Sequence, residues 1–453
     1  MPGARVALAL LLAINLLNYI DRYVLAAVED QIQHDFGSTE AQTGLLATAF
    51  LISYMCFAPV FGWLADRYSR WLLVGVGVLI WSAASGATGL ATGIAIMLAT
   101  RVFVGIGEAA YGPAAPTIIA DLYPVERRGQ VLAWFYVAIP VGSALGYLLG
   151  GQVLHLGFTW HYAFFIVVPP GLLLGAWAIF LRDPRHAGAT IRASKQPGQS
   201  ARSPAAKLSD YKQLRHIPSY VYNTLGMTAM TFATGGLSFW IPRYLVWRKV
   251  HAGLLDPADA ELRKAALTDA NWVFGLIVVI TGLAATLSGG WLGDKLRGRF
   301  PGSYFLVSGW GMLIALPFFL AALVVPFPTA WIMIFITCCG LFFNTGPTNT
   351  ILANVTQPSI RAAGFALNIF IIHALGDAIS PPLIGKINML FGDSTATASN
   401  AAGKVDEIVS SNMNAGFAAV SLAIFLSGVF WLWGAKYLAS DTAKVSASEQ
   451  SAI

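Results

Sequence analysis

Residues 62–70 read GWLADRYSR, and 228 positions later residues 290–299 read GWLGDKLRGR. Each copy closes a long apolar run in the same way, with a glycine and a tryptophan, then an aspartate, then a cluster of arginine and lysine. A second echo pairs YPVERRG at 123–129 with QPSIRAAG at 357–364. The offset is about half of the 453-residue chain, so one pattern has been used twice. The runs around the copies say which pattern. A helix that crosses a bilayer needs about 20 mostly apolar residues, because only helices and closed barrels satisfy every backbone group in hydrocarbon. Such runs fall at 4–31, 41–65, 71–92, 94–121, 129–156, 160–181, 219–247, 269–293, 303–326, 329–355, 363–391 and 414–439. The reading is an all-α membrane protein of twelve transmembrane helices in two pseudo-symmetric six-helix bundles. The bundles take residues 1–181 and 219–440, with a linker at 182–218 and a tail at 441–453.

Composition agrees. The chain is 56% hydrophobic and 11% charged, where a soluble protein has about 25% charged residues. So little charge cannot cover a soluble body of this size, and much of the exterior must face lipid. Alternate loops divide the basic residues unequally. One side holds Arg5, Arg67, Arg70, Arg127, Arg128, the eight from Arg182 to Arg215, Lys295, Arg297, Arg299, Arg361, Lys436 and Lys444. The other holds Arg248, Lys249, Arg263, Lys264 and Lys404. The positive-inside rule then puts both termini and the linker in the cytoplasm. Short loops and no targeting extension fit a bacterial inner membrane. Cys56, Cys338 and Cys339 lie in apolar runs with no metal or redox spacing,. No metal, cofactor or nucleic-acid partner is expected, and the chain is expected to act as a monomer. There is no Walker loop, no H-E-x-x-H and no nucleophile elbow, and the G-x-G in VGIGEAAYG (104–112) follows no strand,. An enzyme is therefore not expected.

GWLADRYSR and its second copy resemble the loop signature of the major facilitator superfamily, and the resemblance extends to the twelve helices and the central linker. NYIDRYVLAAV (18–28), RVFVGIGEAAYGPA (101–114), IADLYPVERRG (119–129) and PVGSALGYLLGG (140–151) are similar to the Spinster group, whose members move lysolipids and sphingolipid phosphates. The resemblance implies a secondary transporter in which two bundles rock around a central site. It also assigns a gate. Asp66 would meet the start of helix 11 across the two-fold axis, Asp294 with Arg299 would meet the start of helix 5, and Arg70 can pair with Asp121. A carboxylate at a helix N-terminus is favourable because free N–H groups point at it.

The central site is read from charges inside the apolar runs, which cost roughly 2.5–3.5 kcal/mol each on insertion scales and are kept mainly where they face a cavity or one another. Asn15, Asn18 and Arg22 share one face of helix 1 at spacings of three and four, with Asp21 about 100° away,. Helix 4 adds Arg101 and Glu108, roughly 10 Å apart along its axis,. These positions predict a cluster in which Glu108 and Asp21 compete for Arg22 and Arg101. Burial and the neighbouring arginines act on the Glu108 proton in opposite senses, which suits proton coupling by Glu108 and Asp21. Arg22 and Arg101 would hold an anionic head group. Tyr19, Asn18, Tyr111, Asn223, Asn344 and Asn368 complete the expected binding set, Phe232 and Trp240 are candidate tail contacts, and His373 with Asp377 is a candidate second pair. The expected cargo is an amphiphilic anionic lipid; a soluble organic anion or drug, or a sensor that binds without transport, stays open.

Overall fold

The computed structural model describes residues 3–38, 40–181, 183, 212–256, 260–392 and 411–451. The first half contributes α1 (Ala4–Phe36), α2 (Glu40–Arg67), α3 (Arg70–Thr88), α4 (Ile94–Leu122), α5 (Val125–Leu154) and α6 (His161–Ile179). The second contributes α7 (Pro218–His251), α8 (Ala260–Arg297), α9 (Ser303–Val324), α10 (Thr329–Val355), α11 (Arg361–Leu390) and α12 (Met413–Gly434), followed by α13 (Leu438–Ser451). Eleven of these helices are long and apolar enough to cross a membrane. The twelfth crossing is α7. It has the length, but it carries Asn223 and the threonines 224, 228, 231 and 234. Thr228, Thr231 and Thr234 donate to carbonyls one turn back at 2.8, 2.7 and 3.1 Å, so these hydroxyls need no water.

Several helices outrun their apolar windows. α1 continues to Phe36, α7 to His251, and α8 begins at Ala260. Backbone hydrogen bonding does not stop where hydrophobicity does, so a span read from apolar residues underestimates a helix that continues into water. Of the expected linker, Asp183 and a short 3-10 turn at Lys212–His216 are described, and its remaining basic residues lie outside the described residues.

Four spans are interrupted near mid-length. α4 breaks between Tyr111 and Ala114, α5 at Val137 and α10 at Asn344, while α11 contains a π turn at His373–Asp377. Each interruption lies about one turn before a proline, respectively Pro116, Pro140, Pro347 and Pro381. Proline has no N–H for the carbonyl four residues earlier and its ring crowds that carbonyl, which explains the position of the breaks.

Small residues set how closely the helices approach. Gly142, Gly146 and Gly150 of α5 lie against α1, and a Cβ on Gly146 would come within 2.6 Å of the Ile20 carbonyl oxygen. This is the small-xxx-small stripe put to use between neighbouring helices. The two halves meet where α2 packs on α11 and α5 on α8. At Gly62, a Cβ would come within 2.9 Å of the Ala362 carbonyl oxygen.

Candidate transport site

Both copies of the repeated signature lie where the halves touch. Asp66 accepts hydrogen bonds from the Ala362 and Ala363 N–H groups at 2.9 and 3.0 Å. Asp294 accepts from Gly129 and Gln130 at 3.1 and 2.8 Å. Each carboxylate thus reaches from one half to the exposed N-terminal amides of a helix in the other, where a negative charge is favoured. Arg70 contacts Asp121 at 2.7 Å, as its position suggested. The structure adds two members that sequence reasoning missed. Asp183, buried, accepts from the Arg70 N–H, Nε and Nη2 at 2.9, 3.1 and 2.7 Å. Arg361, also buried, crosses from the other half to Asp121 at 2.6 Å.

Arg299 does not join the second copy. It is exposed, its guanidinium lies 5.5 Å over the Phe300 ring, and it forms no ion pair with Asp294. The loop from α8 to α9 is longer than that from α2 to α3, so α9 starts later and delivers a tyrosine instead of an arginine. The Tyr304 hydroxyl donates to Asp294 at 2.8 Å.

Between the halves, deeper than the latches, lies a cavity of about 160 Å³. Asn15, Asn18, Tyr19 and Arg22 line it from α1, Tyr54 from α2, and Glu108 and Tyr111 from α4. The second half supplies Met227, Asn349, Phe365, Asn368 and His373. Arg22 donates through Nε to Oε2 of Glu108 at 2.7 Å, and its Nη2 contacts the same oxygen. The guanidinium is also enclosed by rings, 5.1 Å from Tyr19, 4.8 Å from Phe50 and 5.2 Å from Tyr54, a favourable place for a desolvated cation.

The expected four-member cluster divides in two. Asp21 and Arg22 are neighbours in sequence, but Arg22 lines the cavity while Asp21 turns into the first bundle and accepts from the Ser85 hydroxyl. Arg101 donates to Thr88 at 3.1 Å, lies 5.7 Å over the Phe164 ring, and is not on the cavity wall. Asp21 and Arg101 therefore face the groove between α1, α3, α4 and α6. The roughly 100° step from Asp21 to Arg22 puts one inside the bundle and the other on the cavity, whereas Arg101 and Glu108, two turns apart on one side of α4, are separated by roughly 10 Å of rise,.

Tyr19, Asn18, Tyr111 and Asn368 line the cavity. Asn223 and Asn344 do not. They are buried, with Asn223 donating to the Thr348 carbonyl at 3.0 Å and Asn344 to that of Leu341 at 2.7 Å. Phe232 and Trp240 are also off the wall, and Trp240 donates to the Pro381 carbonyl at 3.0 Å. Tyr54 and Tyr136 were missed. Tyr136 closes the cavity toward the latches by donating across the halves to Asn349 at 2.8 Å. His373 and Asp377 do pair, at 2.9 Å, within the π turn, and the His373 ring meets Tyr54 edge-on at 5.9 Å.

Two six-helix halves joined by paired latches around a polar cavity define a secondary transporter, and residues 11–381 match the family described as the Major Facilitator Superfamily. The chain belongs to that superfamily and, within it, to the Spinster group. It is 37% identical to protein spinster homolog 3 of Danio rerio over 84% of this chain and 76% of that one. With protein spinster homolog 1 of Homo sapiens it shares 37% identity, covering 85% and 74%. Among solved structures, a bacterial homolog to the human lysosomal transporter Spinster, inward-facing and unoccupied, matches with TM-score 0.57 at 23% identity, covering 98% of each chain. The transporter FucP in the outward conformation matches with TM-score 0.69 at 14% identity, covering 95% and 99%. The protein is thus a multi-pass membrane transporter of the alternating-access type.

Proposed function

We propose that this chain carries a single-chain anionic lipid, of the lysolipid or sphingoid phosphate type, coupled to protons. The latched end is cytoplasmic, as are both termini, in a bacterial inner membrane, and the monomer is the working unit. The observation that carries the reading is the Arg22–Glu108 pair on the cavity wall. A carboxylate held by one arginine can exchange that arginine for a proton. The guanidinium is then available to an anion, which it can grip in two places. Proton uptake, substrate binding and the charge of the cavity are linked through one side chain.

The rest of the site serves this exchange. Tyr19, Phe50 and Tyr54 keep the guanidinium in place while its carboxylate partner changes. The second half faces the cargo mainly with neutral groups, Asn349, Asn368, Met227 and Phe365, suited to an amphiphile, and its His373 is held by Asp377. In the described conformation the latched end is shut. Release toward that side requires the Asp66 and Asp294 hydrogen bonds to break, together with Tyr136–Asn349. A second reading, a small organic anion as cargo, is favoured by one observation, the modest cavity volume of about 160 Å³.

Flux of a labelled lysolipid into proteoliposomes, with and without a pH gradient, tests both. The native chain is expected to show gradient-stimulated flux, and Glu108→Gln to lose the stimulation while remaining folded in detergent. Gradient-stimulated flux that survives Glu108→Gln rules out the coupling role. Flux of small organic anions without lysolipid flux replaces the first cargo with the second.

A further inference from the structure

The end of α8 carries three cations, and they do not face the same way. Arg297 reaches across to Glu126 at 3.4 Å. Lys295 and Arg299 are exposed, and no carboxylate among the described residues pairs with either. Each lies instead over an exposed ring, Lys295 Nζ 4.4 Å from the centroid of Trp291 and the Arg299 guanidinium 5.5 Å from that of Phe300. A ring face holds a cation in place without neutralising it. Both charges stay available to an anion.

The side of α8 on which they stand is its lipid side. Trp272, Leu276, Ile280, Ala284, Ser288 and Trp291 are all exposed and follow one another at spacings of three and four, which makes a continuous stripe,. Its one polar member, Ser288, donates to the Ala284 carbonyl at 2.7 Å and so needs no water. Trp272 and Trp291 are separated by about 28 Å of helical rise, close to the roughly 30 Å of a hydrocarbon core, and tryptophan favours the two borders of that core,. Lys295 continues the stripe one turn past Trp291. Arg299 follows four residues later, where the chain is still turning and its N–H donates to the Leu296 carbonyl at 3.0 Å. Both cations therefore stand in the head-group layer, directly beyond the acyl chains that cover the stripe. The first copy of the signature does not reproduce this. Arg67 lies over Trp63 at 4.0 Å, but the next turn brings Arg70 and Trp71, both buried in the bundle.

Since lipid covers the stripe, the group that meets the two cations is a lipid head group. A phosphodiester offers two unesterified oxygens, a match for the guanidinium fork, and a negative charge for the Lys295 ammonium. A choline or ethanolamine would add a third cation to the pair, and a glycerol head group would not. We propose that Lys295 and Arg299 form a binding site for the phosphate of an anionic phospholipid in the leaflet at the latched end, beside Asp294 of the second latch. The site is separate from the central cavity and does not depend on what the cavity carries.

The test uses the full chain in detergent, with dioleoyl phosphatidylglycerol and dioleoyl phosphatidylcholine added in equal amounts and the retained lipid read by native mass spectrometry. The native chain should retain phosphatidylglycerol in preference, and the double variant Lys295→Gln, Arg299→Gln should lose that preference by about tenfold or more. Lys436→Gln removes another exposed cation at the same end, held 4.9 Å over the Tyr437 ring, and should leave the preference unchanged. No loss in the double variant, or an equal loss in Lys436→Gln, overturns the site and reduces the two cations to general attraction by surface charge. A second measurement needs no variant. Phosphatidylglycerol with a photoreactive head group, cross-linked to the native chain, should label residues 291–300; label confined to other helix ends overturns the assignment.

Discussion

The two latches make the same backbone contact with different support. At the first, Asp66 meets the start of α11, and behind it stands a chain of charges, Asp183–Arg70–Asp121–Arg361, whose last member crosses between halves. At the second, Asp294 meets the start of α5, supported by the Tyr304 hydroxyl. Arg128 holds the place of Arg361. Its Nε donates to the carbonyl five residues back at 3.1 Å, as that of Arg361 does at 3.2 Å. Yet where Arg361 finds Asp121, Arg128 finds the neutral Asn354 at 2.9 Å. A helix N-terminus and a carboxylate are thus enough to form a latch, and the surrounding charge adjusts its strength. The same imbalance recurs in the cavity, where the first half supplies the Arg22–Glu108 ion pair and the second supplies amides and the His373–Asp377 pair. The first half supplies most of the charge at both depths.

If that comparison is right, removing the charge should hurt the first latch most. Asp121→Ala leaves Arg70 and Arg361 short of a carboxylate while both are buried, and breaking a buried pair typically costs about 3–5 kcal/mol. The expected result is a shift toward the state open at the latched end, read as increased labelling of a cysteine placed in the cavity by an impermeant reagent added from that side. A smaller effect of opposite sign is expected from Asn354→Asp, which gives the second latch the charge it lacks. A charged hydrogen bond contributes about 1.5–3 kcal/mol, so labelling from the latched end should fall and flux should slow. Unchanged labelling would show that Arg128 does not sense charge at residue 354. Least affected should be Arg297→Ala. Its pair with Glu126 spans the halves at 3.4 Å but is largely exposed, and such pairs contribute about 1 kcal/mol or less. Flux within error of the native value is expected, and a clear loss would mean that surface charge outside the latch also governs the gate.

Much of this arrangement is legible in the amino-acid sequence. Asn15, Asn18 and Arg22 announce a cavity face because polar groups at helical spacing inside an apolar run are too costly to turn toward lipid, and the duplicated aspartate marks both latches. The residues that escaped have physical reasons. Arg101 and Arg22 look alike in sequence, and nothing local says that Arg101 finds Thr88 in a groove inside one bundle. Tyr54 and Tyr136 are hidden among many rings that merely pack or anchor. Arg361 is plain to see but its partner is 240 residues away, and only the pseudo-symmetry, with Arg128 already at the start of α5, hints at it. Arg299 matches Arg70 in the repeated letters but not in space, because the loops after the two aspartates differ in length.

Asp183 has a practical consequence. Counted with the linker on composition, it is folded into the first bundle and fastens the N-terminus of α3 through Arg70. To produce the halves as separate polypeptides, or to graft a reporter between them, the cut belongs downstream of residue 183. A first half severed at 181 would lose a side chain that fastens Arg70 at the start of α3, and a poor yield from it would say nothing about whether the bundles can fold apart.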